Sequence, residues 1–191
     1  EDERNRSMLP EAFLDRMKQQ LGTEYPEYLA SLERPRAVAL RFNPLKGEKP
    51  CLPFVQQSVP WEPMGHYYDP ASRPGLHPYH EAGVYYLQEA SAMSAVALLD
   101  PQPGERVCDL CAAPGGKSFA AAISVHGQGD IISCDLHPHK KKLIHAGAER
   151  LGFSCITPMM ALSTNGMPEN ATVASRRATS ATADMIRCFI E

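Results

Sequence analysis

Val107 to Ser118 reads VCDLCAAPGGKS, and its Gly-Gly-Lys-Ser end could cradle a phosphate. A phosphate-binding loop needs Gly-x-x-x-x-Gly-Lys-Ser/Thr. Counting back from Gly116 puts the first required glycine at position 111, which is Cys. Pro114 also removes a backbone N–H that such a cradle would use. Only the right-hand half of the motif is present, so a nucleotide-phosphate enzyme is the disfavoured alternative. A nucleoside-binding turn fits better. Gly115 and Gly116 would let a ligand approach the backbone closely, and the helix N-terminus after them would favour a carboxylate. About twenty residues on, the next apolar run ends in CDLHP. That places Asp135 to accept hydrogen bonds from both ribose hydroxyls. The spacing predicts a nucleoside and by itself does not separate S-adenosylmethionine from a dinucleotide.

The elements that must position this turn follow from periodicity. ERVCDLCAAP reads as a fully buried strand, KSFAAAISVH as a helix, GDIISCDLHP as a second buried strand and HKKKLIHAGAERLG as a second helix stopped by Gly152. Strand–helix–strand–helix at this spacing predicts an α/β fold with a parallel sheet and right-handed crossovers. Upstream, Leu9, Phe13, Leu14, Met17 and Leu21 recur at helical spacing, with Pro10 suited to a first turn and Gly22 to the stop. A short second helix is expected over Tyr25 to Leu32. RAVALRFNPLK alternates as a strand and ends at Asn43-Pro44. Residues 50 to 80 are rich in Pro, Tyr, Trp and His, which predicts an ordered connector without helix or central strand. EAGVYYLQEASAMSAVALLD reads as helical in its second half.

These readings divide the chain into an α/β module over 1–62, a connector and packing helix over 63–100, and the first βαβα part of a parallel-sheet domain over 101–157. From Thr157 the sequence turns rich in Ala, Ser and Thr and shows no clear apolar strand. Residues 158–191 are therefore expected to form an atypical tail, and the sequence leaves open whether it folds.

The composition is that of an ordinary globular protein, with 43% hydrophobic and 21% charged residues, which argues against disorder. The net charge is −3, so a polyanion would have to be met by a local patch. Six cysteines are present, and Cys108 and Cys111 form a C-x-x-C with no second pair at zinc-finger spacing. No metal site is expected, and the thiols are read as reduced in a cytoplasmic protein. No apolar run is long enough to span a membrane, and EDERNRSMLP has no apolar signal core. Met8 suggests an upstream extension or a start at that position.

DLCAAPGGK closely resembles the donor-binding motif of the Nol1/Nop2/Sun family of RNA cytosine-C5 methyltransferases. LRFNPLK, HPYHEAGVYYLQEASAM and LDPQPGERV are also similar to that family. The likeness covers about residues 8 to 155. It implies a Rossmann-like methyltransferase sheet, with S-adenosylmethionine wrapped by Cys111, Ala112, Ala113, Pro114, Gly115, Gly116 and Lys117 and its ribose held by Asp135. It implies RNA, ribosomal RNA above all, as the partner. It also implies an N-terminal module that positions RNA, in which Arg34, Arg36, Arg41, Lys46 and Lys49 would form a modest basic patch or a solvated surface. Gln88, Glu89 and Ser91 match a family segment that packs beside the donor turn.

Methylating carbon 5 of cytosine requires a thiolate to attack carbon 6, a carboxyl group near ring nitrogen 3 and a base for the carbon-5 proton. The resemblance places these groups in an Asp-x-Pro-Cys-Ser-Gly segment with a further Cys beyond it. The sequence contains no such segment. Its one Pro-Cys pair, Pro50-Cys51, lacks the preceding Asp. Cys188 has neither neighbour, and Cys155 belongs to a strand or turn. No catalytic residue is assigned, and the chain is expected to be inactive or weak, as a truncated or altered family member. A non-catalytic donor- or RNA-binding fragment is the alternative. His66, His77 and His80 are read as packing groups among tyrosines in preference to a metal or proton-transfer site. His137, His139 and Lys140–Lys142 open a helix, whose lysines form a solvated face or, less readily, touch phosphate.

Overall fold

The computed structural model describes residues 9–160 and the backbone of residues 186–189. The chain divides into two compact units, Glu1–Arg36 and Ala37–Glu191. In the first, α1 (Glu11–Leu21) is followed by a 3-10 turn and α2 (Tyr25–Leu32). Pro10 sits at the N-cap of α1, and its carbonyl accepts from the Phe13 and Leu14 N–H groups. Gly22 ends the helix at φ 52°, a conformation open to glycine at little cost.

The second unit opens with an antiparallel sheet of four strands. These are β1 (Ala39–Phe42), β2 (Val55–Val59), β3 (Glu62–Tyr68) and β4 (Tyr85–Leu87), in the order β2-β3-β1-β4. A single-turn helix, α3 (Pro78–Glu81), precedes β4. The segment expected to be a strandless connector thus supplies β2 and β3, and the sheet takes strands from both sides of the expected boundary at 62/63. The prolines do not prevent this because of where they fall. Pro60 lies in the turn between β2 and β3, Pro63 is the second residue of β3, and Pro70 and Pro74 follow it.

Strand β1 is buried on both faces. Leu40 and Phe42 pack with Leu52 and Tyr85 on one side. Ala39 meets Val59, Ala90 and Met93 on the other, where α4 (Ala90–Leu99) covers the sheet. Gly65 lets this helix approach, since a Cβ there would lie 2.8 Å from the Met93 sulfur.

The parallel sheet follows: β5 (Arg106–Asp109), α5 (Gly116–Ser124), β6 (Asp130–Asp135), α6 (Pro138–Leu151) and β7 (Ile156–Met160). The backbone of β8 (Ile186–Phe189) pairs parallel to β5, giving the order β7-β6-β5-β8. The apolar stretch after Thr157 that the sequence seemed to lack is β7, which already begins at Ile156 and pairs with β6 over five positions. Two of its five residues are methionines and one is proline, so β-branched enrichment could not reveal it. The other residues of 161–191, including the Cys188 side chain, lie outside the described residues. Val107, Ile131, Phe119, Ala120, Ala121, Ala122, Ile144 and Leu151 form the core between sheet and helices, each at most 2% exposed. No helix among the described residues is long and apolar enough to cross a membrane.

Candidate functional site

Strand β5 lies between β6 and β8, so the strand order reverses at it. That reversal is the topological switch point, beyond whose carboxyl end an open α/β sheet binds ligands. The turn Cys111–Lys117 occupies this place. The Ala112 N–H donates to the Cys134 carbonyl at 2.9 Å, which ties the turn to β6. The Ala113 N–H donates to Asp135 Oδ2 at 3.2 Å, and the Ala113–Pro114 peptide is cis. Gly115 is the N-cap of α5 at φ 117°, and no side chain caps this helix start. The first-turn N–H groups of α5 thus have no capping side chain, and the helix dipole adds partial positive charge there.

Asp135 ends β6 and is 5% exposed. The His137 N–H donates to its Oδ1 at 3.3 Å, and the Lys140 ammonium lies 3.5 Å from the same oxygen. Removal from water would raise this carboxyl. The N–H groups of His137 and Ala113 and the charge of Lys140 outweigh that and hold it below the ordinary aspartate value. It is therefore an anion at neutral pH, and Oδ2, which takes one N–H, retains acceptor capacity. All eight residues expected to bind the donor come together at the ends of β5 and β6.

The two glycines have a packing cause that spacing did not reveal. A Cβ on Gly115 would collide with the Phe119 ring, and its φ lies in the left-handed region. A Cβ on Gly116 would stand 3.1 Å from Gln88 Nε2 and 3.2 Å from Tyr86 Cε1. The turn is thus pressed between α5 and β4. Beneath it, Ser133 Oγ donates to Ser118 Oγ at 2.8 Å, and Ser118 Oγ to Asp109 Oδ2 at 2.8 Å. This buried chain links the end of β5, the first turn of α5 and the middle of β6.

Several residues stand elsewhere than expected. Arg41 is not part of a basic patch: it is 1% exposed, donates through Nη1 to Gln88 Oε1, and through Nη2 to the Gly116 carbonyl at 3.1 Å. Burial pulls its pKa down to about 10, against the opposing influence of Glu62 and Tyr86. Alternation along β1 could have placed Arg41 and Asn43 on one face, but not shown that this face is covered. Lys140, read as part of a solvated face, instead faces Asp135. Of the C-x-x-C pair, Cys108 is buried and Cys111 exposed. A hydrogen bond with Cys108 lowers the pKa of Cys134, outweighing burial and Asp109. His77 Nδ1 accepts the Tyr79 N–H at 3.1 Å and so caps α3. His66 lies 3.1 Å from Lys49 Nζ and packs edge-on against Phe42. His80 packs against Tyr85. Among the described residues, no three His, Cys, Asp or Glu side chains are grouped to hold a metal ion.

This geometry has relatives. Residues 9–90 match the N-terminal domain of the 16S rRNA methyltransferase RsmF, and residues 96–169 match the 16S rRNA methyltransferase RsmB/F family. The chain belongs to this family of RNA methyltransferases. It is 35% identical over 160 residues to ribosomal RNA small subunit methyltransferase F of Cronobacter sakazakii, covering 76% of the chain and 33% of the relative. It is 35% identical over 141 residues to the human 28S rRNA (cytosine(4447)-C(5))-methyltransferase, covering 69% of the chain and 17% of the relative. The chain therefore spans a third or less of the length of these relatives. A methyltransferase homolog from Pyrococcus horikoshii superposes with a TM-score of 0.67 at 29% identity, covering 81% of this chain and 53% of that one. NSun6 from the same organism, solved with SFG, shares the fold at a TM-score of 0.66 and 16% identity, over 79% of this chain and 65% of that one. The Rossmann-like methyltransferase fold of the RsmB/F family thus accounts for the parallel sheet.

Proposed function

We propose that the chain carries the donor-binding part and an RNA-positioning part of an S-adenosylmethionine-dependent RNA cytosine-C5 methyltransferase that acts on ribosomal RNA in the cytoplasm. The observation that carries this reading is the Asp135 carboxylate, held ionised beside the uncapped start of α5 at the switch point. The residues fit the donor. Asp135 offers acceptors to the ribose hydroxyls, and the α5 N-terminus offers N–H groups to the amino-acid carboxylate. Leu136, 51% exposed next to Asp135, offers apolar surface to the base. When bound, S-adenosylmethionine supplies an electrophilic methyl group. Lys140 keeps the carboxylate charged and in place, and the Ser133–Ser118–Asp109 chain holds the turn on which the donor would lie.

Accepting that methyl group is a different task. Attack on carbon 6 needs a thiolate beside a carboxyl group, and these 191 residues contain no Asp-x-Pro-Cys segment. We infer that they bind the donor without turning it over. The test is incubation of the purified chain with methyl-labelled S-adenosylmethionine and ribosomal RNA. The reading expects saturable retention of label on the protein, no competition by ATP and no 5-methylcytosine in the RNA. Labelled cytosine would overturn the inactivity, and competition by ATP would revive the nucleotide-phosphate alternative.

A further inference from the structure

Arg41 is the largest of the described side chains that are less than 2% exposed, and burying a guanidinium opposes folding by an amount that only its partners can offset. Its guanidinium donates to two neutral partners, the Gln88 side chain and the Gly116 carbonyl, and its Nε has no hydrogen-bond partner. Gly116 opens α5, immediately after the left-handed Gly115. Gln88 is held in turn, with its Nε2 3.3 Å from the Ala92 carbonyl in the first turn of α4. Tyr86, paired with Arg41 across β1 and β4, meets the Phe119 ring edge-on at 5.1 Å. One strand of the antiparallel sheet therefore reaches the first turn of α5 through a forked side chain whose planar donors fix direction as well as distance.

We propose that Arg41 is a positioning residue for the donor turn, so that affinity for S-adenosylmethionine depends on a strand outside the parallel sheet. This rests on the proposed donor site. Arg41 acts through Gly116 and Gln88: with the Gly116 carbonyl held, the first-turn N–H groups of α5 keep one orientation before the donor arrives, and binding forfeits less ordering entropy. A role confined to fastening the sheets would make the fold weaker and leave the turn unchanged.

The experiment is calorimetric titration of S-adenosylmethionine into the full chain and its variants, each first shown to be folded at the titration temperature. Arg41→Met is expected to weaken binding about tenfold or more, the effect of losing about one charge-assisted hydrogen bond's worth of order. Arg41→Lys should fall between, because an ammonium cannot hold both partners in fork geometry. Tyr85→Phe serves as a control. It removes a hydrogen bond to the Pro74 carbonyl in the connection between β3 and β4, so it lowers stability while leaving donor affinity within about twofold. Wild-type affinity in a folded Arg41→Met would overturn the proposal, as would equal weakening by Tyr85→Phe. If Arg41→Met does not fold, Arg41→Lys carries the same comparison. If the wild-type chain binds no donor, the donor reading fails and amide hydrogen exchange decides the part of Arg41. Faster exchange at residues 112–118 in Arg41→Lys but not in Tyr85→Phe would support it, and equal exchange would end it.

Discussion

The two sheets bury polar groups for different ends. In the parallel sheet, the buried polar side chains Asp109, Ser118, Ser133 and Asp135 gather at one end, around the candidate site. Asp109, Ser118 and Ser133 bond to one another, and Asp135 to N–H groups of the turn and of α6, so the rest of that region is an apolar cluster. In the antiparallel region, Arg41 and Asn43 each send one hydrogen bond to the parallel region as well as one within their own. Arg41 reaches Gly116, and Asn43 Nδ2 donates to the Leu151 carbonyl at 2.8 Å and to the Gly83 carbonyl at 3.1 Å. Arg150 of α6 returns a hydrogen bond to the His80 carbonyl. The comparison separates a sheet that builds a site from a sheet that braces it. Loss of apolar volume should injure the first most, and loss of single polar bonds the second.

The largest expected effect lies in the parallel region. Phe119→Ala removes a ring with no exposure, which packs against Tyr86 and Phe153. It should lower stability by about 3–5 kcal/mol in urea denaturation. A loss under 1 kcal/mol would mean that this core is looser than described. Gly115→Ala combines a left-handed φ with a collision against the same ring, whereas Gly47→Ala in the antiparallel region has a similar φ of 112° and open space. The first should cost about 2–3 kcal/mol and the second about 1 kcal/mol. Equal losses would show that the donor turn is not tightly packed.

Asn43→Ala tests the bracing directly. It leaves two buried carbonyls without a donor and should cost about 2 kcal/mol, more than its lost volume implies. A neutral result would remove Asn43 from the bracket.

Acid should separate the regions in order. Burial lowers the pKa of His66, with Lys49 adding to this and the Met64 carbonyl opposing it. Burial and Arg150 lower that of His80, against Glu81. Both histidines are neutral in the fold, so their contribution is complete above about pH 6.5 and is lost as pH falls below that, toward the lower folded values. Asp135, held below its ordinary value, contributes above the unfolded aspartate pKa of about 3.9 and is lost as pH falls through its folded value. Between pH 7 and 4.5, protection against hydrogen exchange relative to the intrinsic amide rate at each pH should therefore fall in β1–β4 before it does in β5–β7. The reverse order would contradict the assignment.

Much of the site was legible because its local rules are strict. A buried strand, a Gly-Gly turn and an acidic residue about twenty positions later fixed the places of Gly115, Gly116 and Asp135. What failed was whatever depends on distant partners. Pro63 forbids a central strand only if its N–H is needed, and at the second position of β3 the strand tolerates it. Arg41 looked like surface charge because nothing in LRFN tells that Gln88 and the first turn of α5 meet it. Lys140 could be placed in a helix but not aimed at Asp135, five residues earlier. Strand β7 escaped because Thr, Pro and two Met hide a strand whose pairing with β6 is set by tertiary contact.

The most direct test of the account is calorimetric titration of S-adenosylmethionine into the chain and into Asp135→Asn, which keeps the side chain's size and removes its charge. The account predicts saturable binding by the chain and a weakening of about tenfold to a hundredfold in the variant, the value of a charge-assisted hydrogen bond. Equal affinity in both would contradict the place given to Asp135, and a folded chain that binds no donor would contradict the site itself.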